Sequence, residues 1–374
     1  MNHFQHIFLI GLALSFLLTP LMRLLAFRMG TLDHPKAHGI HNHPVPRIGG
    51  IAIYLAFVTG ALWQMDLSNQ LKGVLVGSTV IFAVGLWDDF FGLKAKWRLF
   101  IQIAALWVMM FKYHVMLDLF ENKVLNGFFT ALGIIGITNA VNFLDNMDGL
   151  ATGLVMISSA AIFYVAFLTH QVWLGYLTVA LIAAGAGFLV HNLRRAHVFM
   201  GDSGATFLGF TLASLAVMAD WSKHLAVTMA VPLLILGVPV LDMLLITVLR
   251  IKEHKVKNFK QWIDYAGKDH LSHRIARLGF SNRKAVFIVW GLQAVFCALA
   301  LWIFPRQNEA GVFGLIFYLI AAAAAVFFFR RRRYFTLRLS GRPSKKRKDK
   351  ALPPARSVLI LILVVHETAL TFII

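Results

Sequence analysis

Five aspartates, Asp88, Asp89, Asp145, Asp148 and Asp202, stand in short polar stretches between long apolar runs. An ionised carboxylate is costly near hydrocarbon, so acids grouped at the ends of membrane helices usually serve ions, protons or substrates. In Trp87–Arg98, WDDFFGLKAKWR, the adjacent acids repel each other, which favours a bound cation or a raised pKa on one member. A solvated acidic cap balanced by Lys94, Lys96 and Arg98 is the plainer alternative. In Asn139–Gly153, NAVNFLDNMDGLATG, Asn139, Asn142, Asp145 and Asp148 recur at intervals of three, which predicts one face of a helical turn. Their oxygens are hard ligands suited to Mg²⁺ and to hydroxyl or nucleobase recognition. Capping of the next helix by Asp148 is the competing explanation.

Three further loops complete the set. In His191–Gly209, HNLRRAHVFMGDSGATFLG, the stretch Gly201, Asp202, Ser203, Gly204 leads into an apolar helix whose N-terminus favours phosphate. Arg194 and Arg195 there are equally well explained as markers of the cytoplasmic side. The segment Asp264–Lys284, DYAGKDHLSHRIARLGFSNRK, gathers Lys268, His270, His273 and Arg274 into a cationic cluster apt for a phosphate or pyrophosphate. Asp242, inside the preceding apolar run, is either a structural partner or a residue supporting the site. The first loop, Asp33–Gly50, carries His34, His38, His41 and His43, but ligands on a proline-interrupted loop lack a fixed face, which disfavours a metal. Pro44, Pro46, Gly49 and Gly50 instead predict a tight turn into the second helix, with backbone N–H groups near an anion. Taken together, the acids, oxygen ligands, glycine turn and basic loop imply Mg²⁺-assisted phosphoryl chemistry at a membrane face.

The elements that must position these residues are apolar helices. The chain has 374 residues, of which 59% are hydrophobic, and apolar runs long enough to cross a bilayer recur along almost all of it. The expected fold class is all-α, a polytopic integral membrane protein of about eleven spans. The runs cover 4–27, 48–65, 71–87, 97–113, 124–141, 150–169, 172–190, 204–220, 224–249, 284–304 and 310–329. The first run has no basic leader and no small-residue cleavage site, and is read as a retained span. The single cysteine, Cys297, excludes a disulfide framework or cysteine metal site.

The formal charge of +19 does not require nucleic acid, because Lys and Arg collect in cytoplasmic loops. Only Lys72, Lys112, Lys123, Lys223 and Arg306 fall on the proposed outer side. Alternation then places all five aspartates on the cytoplasmic face of the cell's inner membrane. Residues 1–329 form the membrane domain and 330–356 a basic, disordered or membrane-surface tail. The run 357–374 is a further span or an interfacial segment.

At these residues the chain resembles the polyprenyl-phosphate N-acetylhexosamine-1-phosphate transferases, glycosyl transferase family 4. The resemblance covers roughly 1–329 and rests on HPVPRIGG, DDFFGLKAK, NAVNFLDNMDGLATG, VFMGDSGATFLGF and the His loop, in that order. It implies transfer of a sugar 1-phosphate from a UDP-sugar to a polyprenyl phosphate, with release of UMP. By matching position it implies that Asp88, Asp89, His270 and His273 serve catalysis, one acid of the pair deprotonating the lipid phosphate. Asn142 and Asp202 would hold Mg²⁺, with Mn²⁺ able to substitute. Asn139, Asp145, Asp148, Asn192, Phe199 and Arg274 would bind substrate, Phe199 stacking on uracil.

The chain departs from the pattern at three places. His38 and Gly39 stand where many members have Arg-Lys, Asn146 replaces a common glycine, and Ser272 stands where many relatives have another histidine. NFLD and VPRIGG resemble the N-acetylglucosamine-1-phosphate branch of envelope polysaccharide initiation. The muramoyl-pentapeptide branch is the runner-up, and its usual triple-His signature is missing. A secondary transporter of an organic anion is the rival of a different class, but transporter sites lie near the midplane and these motifs lie at helix ends. The expected partners are the UDP-sugar, the lipid phosphate and the membrane, without nucleic acid; an oligomer is compatible with the sequence.

Overall fold

A computed structural model describes residues 2–33, 44–63, 68–193, 196–258, 261, 262, 265, 267, 269–306 and 308–339. His34, His38, Gly39, His41, His43, Arg194, Arg195, Lys268 and the run 357–374 lie outside the described residues. The chain is helical along nearly its whole described length. Its order is α1 (Asn2–Met29), β1 (Leu32–Asp33), β2 (Val45–Pro46), α2 (Gly50–Leu62), α3 (Asn69–Phe91), α4 (Ala95–Tyr113) and α5 (Lys123–Leu144). It continues with α6 (Leu150–Leu168), α7 (Val172–Asn192), α8 (Gly201–Met218), α9 (Leu225–Ile235) and α10 (Gly237–Lys252). The short α11 (Leu271–Ala276), then α12 (Asn282–Ile303) and α13 (Asn308–Leu339), close the described chain. The two strands pair antiparallel, Leu32 opposite Pro46 and Asp33 opposite Val45.

Each expected apolar run contains a helix, and the run at 224–249 contains two. Among the described residues, seven helices are long and apolar enough to cross a membrane, or up to eight with α9 and α10 taken as one bent span. This is an all-α, multi-pass membrane protein. The shortfall from eleven has a physical origin. Helix α2 has only 13 residues, α4 carries Lys96, Arg98, Gln102 and Lys112, and α8 is rich in Gly, Ser and Thr because protein surrounds it. The basic stretch expected as a tail from residue 330 is helical as far as Leu339.

Helix α8 is the central post. It packs against α3 and α5, and also touches α2, α6 and α7. A helix wrapped by other helices needs small residues where backbones approach. A side chain at Gly209 would place its Cβ 2.9 Å from Thr138 Cα, and one at Gly85 2.6 Å from Ser203 Cα. Tyr54 stacks on Phe82 with ring centroids 4.0 Å apart, and Phe207 meets Tyr54 edge-on. Large apolar side chains such as Leu17, Phe100, Trp107, Phe128 and Leu319 remain exposed on the outside, as a lipid-facing surface requires.

The bend between α9 and α10 is 80°. Breaking a helix in an apolar setting frees backbone groups that must find partners. Ser158 Oγ and Gln293 Nε2 both donate to the Ile235 carbonyl, at 2.8 and 2.6 Å. Val238 N–H donates to Gln293 Oε1 at 2.9 Å, and the Tyr318 hydroxyl donates to the Gly237 carbonyl at 2.9 Å. Three helices thereby satisfy the break, and α10 is aimed so that Asp242 meets the fifth loop.

Candidate active site

Three of the five aspartates lie within helix ends rather than in the loops where the sequence placed them. Asp88 and Asp89 occupy the last turn of α3, which runs on to Phe91 and stops at Gly92, where φ is 73°. Asp202 lies in the first turn of α8. The expected four-residue stripe is also shorter than predicted. Helix α5 ends at Leu144, so Asn139 and Asn142 share its face, Asp145 caps its end and Asp148 lies in the following turn.

The ends of α3 and α8 are locked together by an acid on a helix N-terminus. Asp89 Oδ1 accepts from Asp202 N–H at 2.8 Å and Oδ2 from Ser203 N–H at 3.0 Å. The anion seated on the α8 N-terminus is therefore Asp89, in the place the sequence reading reserved for phosphate. Gly201 makes this possible. Its φ is +74°, and a Cβ there would meet the Arg47 carbonyl and the Asp89 carboxylate.

Asp202 is the hub. Its Oδ2 accepts from Arg47 at 3.0 Å, and its Oδ1 accepts from Asn142 Nδ2 at 3.1 Å and Arg98 at 3.3 Å. Each arginine also reaches one member of the acid pair: Arg47 lies 3.6 Å from Asp89, and Arg98 bonds Asp88 at 3.1 Å. Burial opposes the Arg47 charge, but Asp202 and Asp89 outweigh it and raise its pKa. Burial and the neighbouring Asp202 push Asp145 up from 3.8 to about 7, with Arg47 opposing. Among the described residues, four carboxylates, Asp88, Asp89, Asp145 and Asp202, thus face two guanidiniums. The surplus negative charge favours a further cation or a proton.

The donor set fits a divalent ion that shares its shell with a substrate. Among the described residues no group of three or more His, Cys, Asp or Glu side chains forms a protein cage. Asn142 commits its Nδ2 to Asp202, which leaves its Oδ1 beside the Asp202 carboxylate. Mg²⁺ commonly binds through one or two protein oxygens plus phosphates and water, so this pair suits it.

The nucleotide candidates are engaged as follows. Asn139 Nδ2 donates to Gln102 Oε1 at 3.0 Å and to the Ile135 carbonyl at 2.8 Å. Asn192 is buried; it accepts from Gly149 N–H at 2.7 Å and donates to the Val198 carbonyl at 2.9 Å. Asp148 Oδ2 accepts from Ala196 N–H at 3.1 Å and does not cap α6 through its side chain. Both residues therefore tie the third loop to the fourth. Phe199 joins the fourth loop to the first: its N–H donates to the Pro46 carbonyl at 2.7 Å, and its carbonyl accepts from Gly49 at 3.0 Å.

The fifth loop is held from α10. Asp242, buried in that helix, accepts from His270 Nδ1 at 2.7 Å and from Leu271 N–H at 2.6 Å. A carboxylate at Nδ1 keeps the proton on that nitrogen and leaves Nε2 as the ring's working atom. The His270 ring lies 5.7 Å from Phe143, beside the third loop. Arg274 Nε donates to the Asp269 carbonyl at 2.6 Å. Arg250, fully buried, makes two hydrogen bonds to the Asp269 carboxylate, at 3.1 and 2.7 Å. His273 lies on α11.

Arg47 and Arg98 are the site residues that sequence reasoning passed over. Arg98 was read as a counter-charge near Asp88, and nothing local signals its bond to Asp202. Arg47 sits in a stretch read for its Pro and Gly. Because Asp88, Asp89, Arg47, Arg98, Asn142 and Asp202 touch, the C-terminal ends of α3 and α5 and the N-terminal ends of α4 and α8 all meet at one end of the bundle.

Carboxylates, guanidiniums and amides thus gather at one helix-end site of a multi-pass helical membrane protein, a set of side chains suited to phosphate. The family description "Glycosyl transferase family 4" matches residues 71–220. A Bacillus subtilis (strain 168) protein named "Probable undecaprenyl-phosphate N-acetylglucosaminyl 1-phosphate transferase" is 31% identical over 304 residues, 79% of this chain and 83% of that one. The Mycobacterium tuberculosis (strain H37Rv) "Decaprenyl-phosphate N-acetylglucosaminephosphotransferase" is 30% identical over 356 residues, 82% of this chain and 86% of its own. The Escherichia coli (strain K12) "Undecaprenyl-phosphate alpha-N-acetylglucosaminyl 1-phosphate transferase" is 29% identical over 294 residues, 75% of this chain and 78% of its own. The chain belongs to glycosyl transferase family 4.

Proposed function

We propose that this chain transfers N-acetylglucosamine 1-phosphate from its UDP-sugar to a polyprenyl phosphate, releasing UMP and starting a lipid-linked envelope polysaccharide. The observation that carries the reading is the convergence of three donors on Asp202 beside the Asp88–Asp89 pair. The names of the relatives support the acceptor and the sugar. The basic loops support a site on the cytoplasmic face of the inner membrane, in a bundle of about eleven segments.

Asn142 and Asp202 would hold Mg²⁺, with Mn²⁺ an acceptable substitute. The bound ion would neutralise the donor pyrophosphate and favour departure of UMP. Arg47 and Arg98 orient phosphate oxygens by charge-assisted hydrogen bonds. The lipid phosphate oxygen attacks the β-phosphorus of the UDP-sugar; the new P–O bond replaces the bond to UMP. Asp88 is the acid of the pair suited to take the acceptor's proton: its side chain is 10% exposed against 0% for Asp89, although both its oxygens are engaged, by Leu93 N–H and Arg98. His270, through its Nε2, and His273 serve the transfer, Arg274 brings positive charge to the phosphates, and Asn139, Asp145, Asp148, Asn192 and Phe199 shape the nucleotide pocket. Residues 1–329 carry this machinery.

Asp202→Ala abolishes UMP release by purified protein while leaving it membrane-inserted; near-normal release from that variant sinks the assignment. Substrate uptake into vesicles without UMP formation would support an anion transporter instead.

A further inference from the structure

The third and fifth loops meet at a side-chain contact that the proposed chemistry does not use. Ser272 Oγ donates to Asn146 Oδ1 at 2.7 Å, and Ser272 is fully buried. Asn146 Nδ2 donates in turn to the Phe143 carbonyl at 2.6 Å, so both ends of the amide are engaged. These two residues are two of the three places where the chain departs from the pattern it resembles, glycine at 146 and histidine at 272. Asn146 is not among the non-glycine residues with positive φ, so a side chain there costs no backbone strain. It occupies space that a glycine would leave open. An imidazole at position 272, fully buried against that amide, would compete for the same space.

The contact stands between the acids and the cations of the site. Asp145 immediately precedes Asn146, and Ser272 precedes His273 and Arg274 on the six-residue α11. At the N-terminal edge of α11, His270 is fixed by Asp242 at 2.7 Å and leans on Phe143, whose carbonyl holds Asn146. The α11 turn therefore has two anchors on other elements, Asp242 and Asn146.

The geometry points to Asn146 and Ser272 as a matched positioning pair that sets the cationic fifth loop against the acidic third loop for the nucleotide-sugar. This rests on the transfer reaction proposed above. Among the described residues, the pair's side-chain hydrogen bonds join only Ser272, Asn146 and the Phe143 carbonyl, away from the Asp88 end of the site. Its loss is therefore felt on the donor side.

The test is steady-state UMP release by the full chain, purified in detergent with polyprenyl phosphate, with rates normalised to folded protein by thermal unfolding. Ser272→Ala and Asn146→Ala each lower kcat/KM for the UDP-sugar about tenfold, and the double variant is no worse than either, as expected for one shared contact. KM for polyprenyl phosphate stays within about twofold. Ser272→His alone loses at least as much as Ser272→Ala, and Asn146→Gly with Ser272→His together recover to within about threefold of the starting chain. Additive losses, an equal rise in both KM values, or unchanged kcat/KM with only a lower unfolding temperature overturn the positioning role. If the unaltered chain releases no UMP from any UDP-sugar, the transfer reading falls, and the pair's role falls with it.

Discussion

Replacing Asp242 by asparagine isolates one atom's contribution to the fifth loop. The carboxylate uses one oxygen for Leu271 N–H at 2.6 Å and the other for His270 Nδ1 at 2.7 Å, and Asp242 is only 1% exposed. Asparagine retains one acceptor, which stays with the backbone donor. Its NH₂ then faces Nδ1, so the imidazole must move its proton to Nε2 or turn away. At a site this buried, loss of one hydrogen bond to a charged group costs about 1.5–3 kcal/mol of stability. Alanine leaves two buried donors bare, about 1–3 kcal/mol each. The functional effect is larger if His270 works through Nε2, because the wrong tautomer removes its acceptor, and general acid–base contributions run to about 10²–10⁴ in rate. The expected result is a kcat for UMP release lowered by about 10² or more, with a far smaller change in unfolding temperature. Asp242→Asn turning over within about threefold of the unaltered chain, at whatever stability, would refute a working role for the oriented imidazole.

Asp145 supplies a pH test. Folding raises its pKa from 3.8 to about 7, so its neutral form is favoured and its stabilising contribution is complete below 3.8 and lost as pH rises through about 7. Without divalent ions, the unfolding temperature of the unaltered chain should fall between about pH 4 and about pH 7, and Asp145→Asn should flatten that fall; equal slopes would contradict the assignment. Asp269 behaves oppositely: burial works against its charge, yet the Arg250 hydrogen bonds and charge bring it down to about 2. Its contribution is present above 3.8 and lost as pH falls through about 2, so Asp269→Asn should destabilise at neutral pH by about 3–5 kcal/mol, leaving buried Arg250 unpaired. Calorimetry that finds the variant as stable as its parent at neutral pH would overturn this. Gly201→Ala should abolish turnover and lower the unfolding temperature, since φ of +74° and the Asp89 carboxylate both oppose a side chain; unchanged melting would show that the α8 start can shift.

Most of the helices were legible because bilayer spanning imposes a long apolar run, as on seven of those described, and every expected run held a helix. Their ends were less so. Asp88 and Asp89 were placed past the end of α3 because charges usually mark a boundary, yet helical hydrogen bonding continues until Gly92. Asp148 was weighed as a cap for α6, a local role, and instead accepts from Ala196 in the next loop. Composition put the site's acids on one list. It could not say that Asp89 is spent on the α8 N-terminus while Asp202 collects two arginines.

By itself the sequence determined the all-helical membrane class and the grouping of acids, amides and basic residues into loops between spans. Both follow from local cost: hydrocarbon excludes charge, so charge is confined to loops and helix ends. Only the tertiary structure decided the pairings. Arg47 with Asp202, Arg98 with both Asp88 and Asp202, Asp242 with His270, and Ser272 with Asn146 join residues on different elements. Such bonds depend on which helix ends meet, and that is set by how α3, α5 and α10 pack around α8 and its neighbours, which no local spacing records.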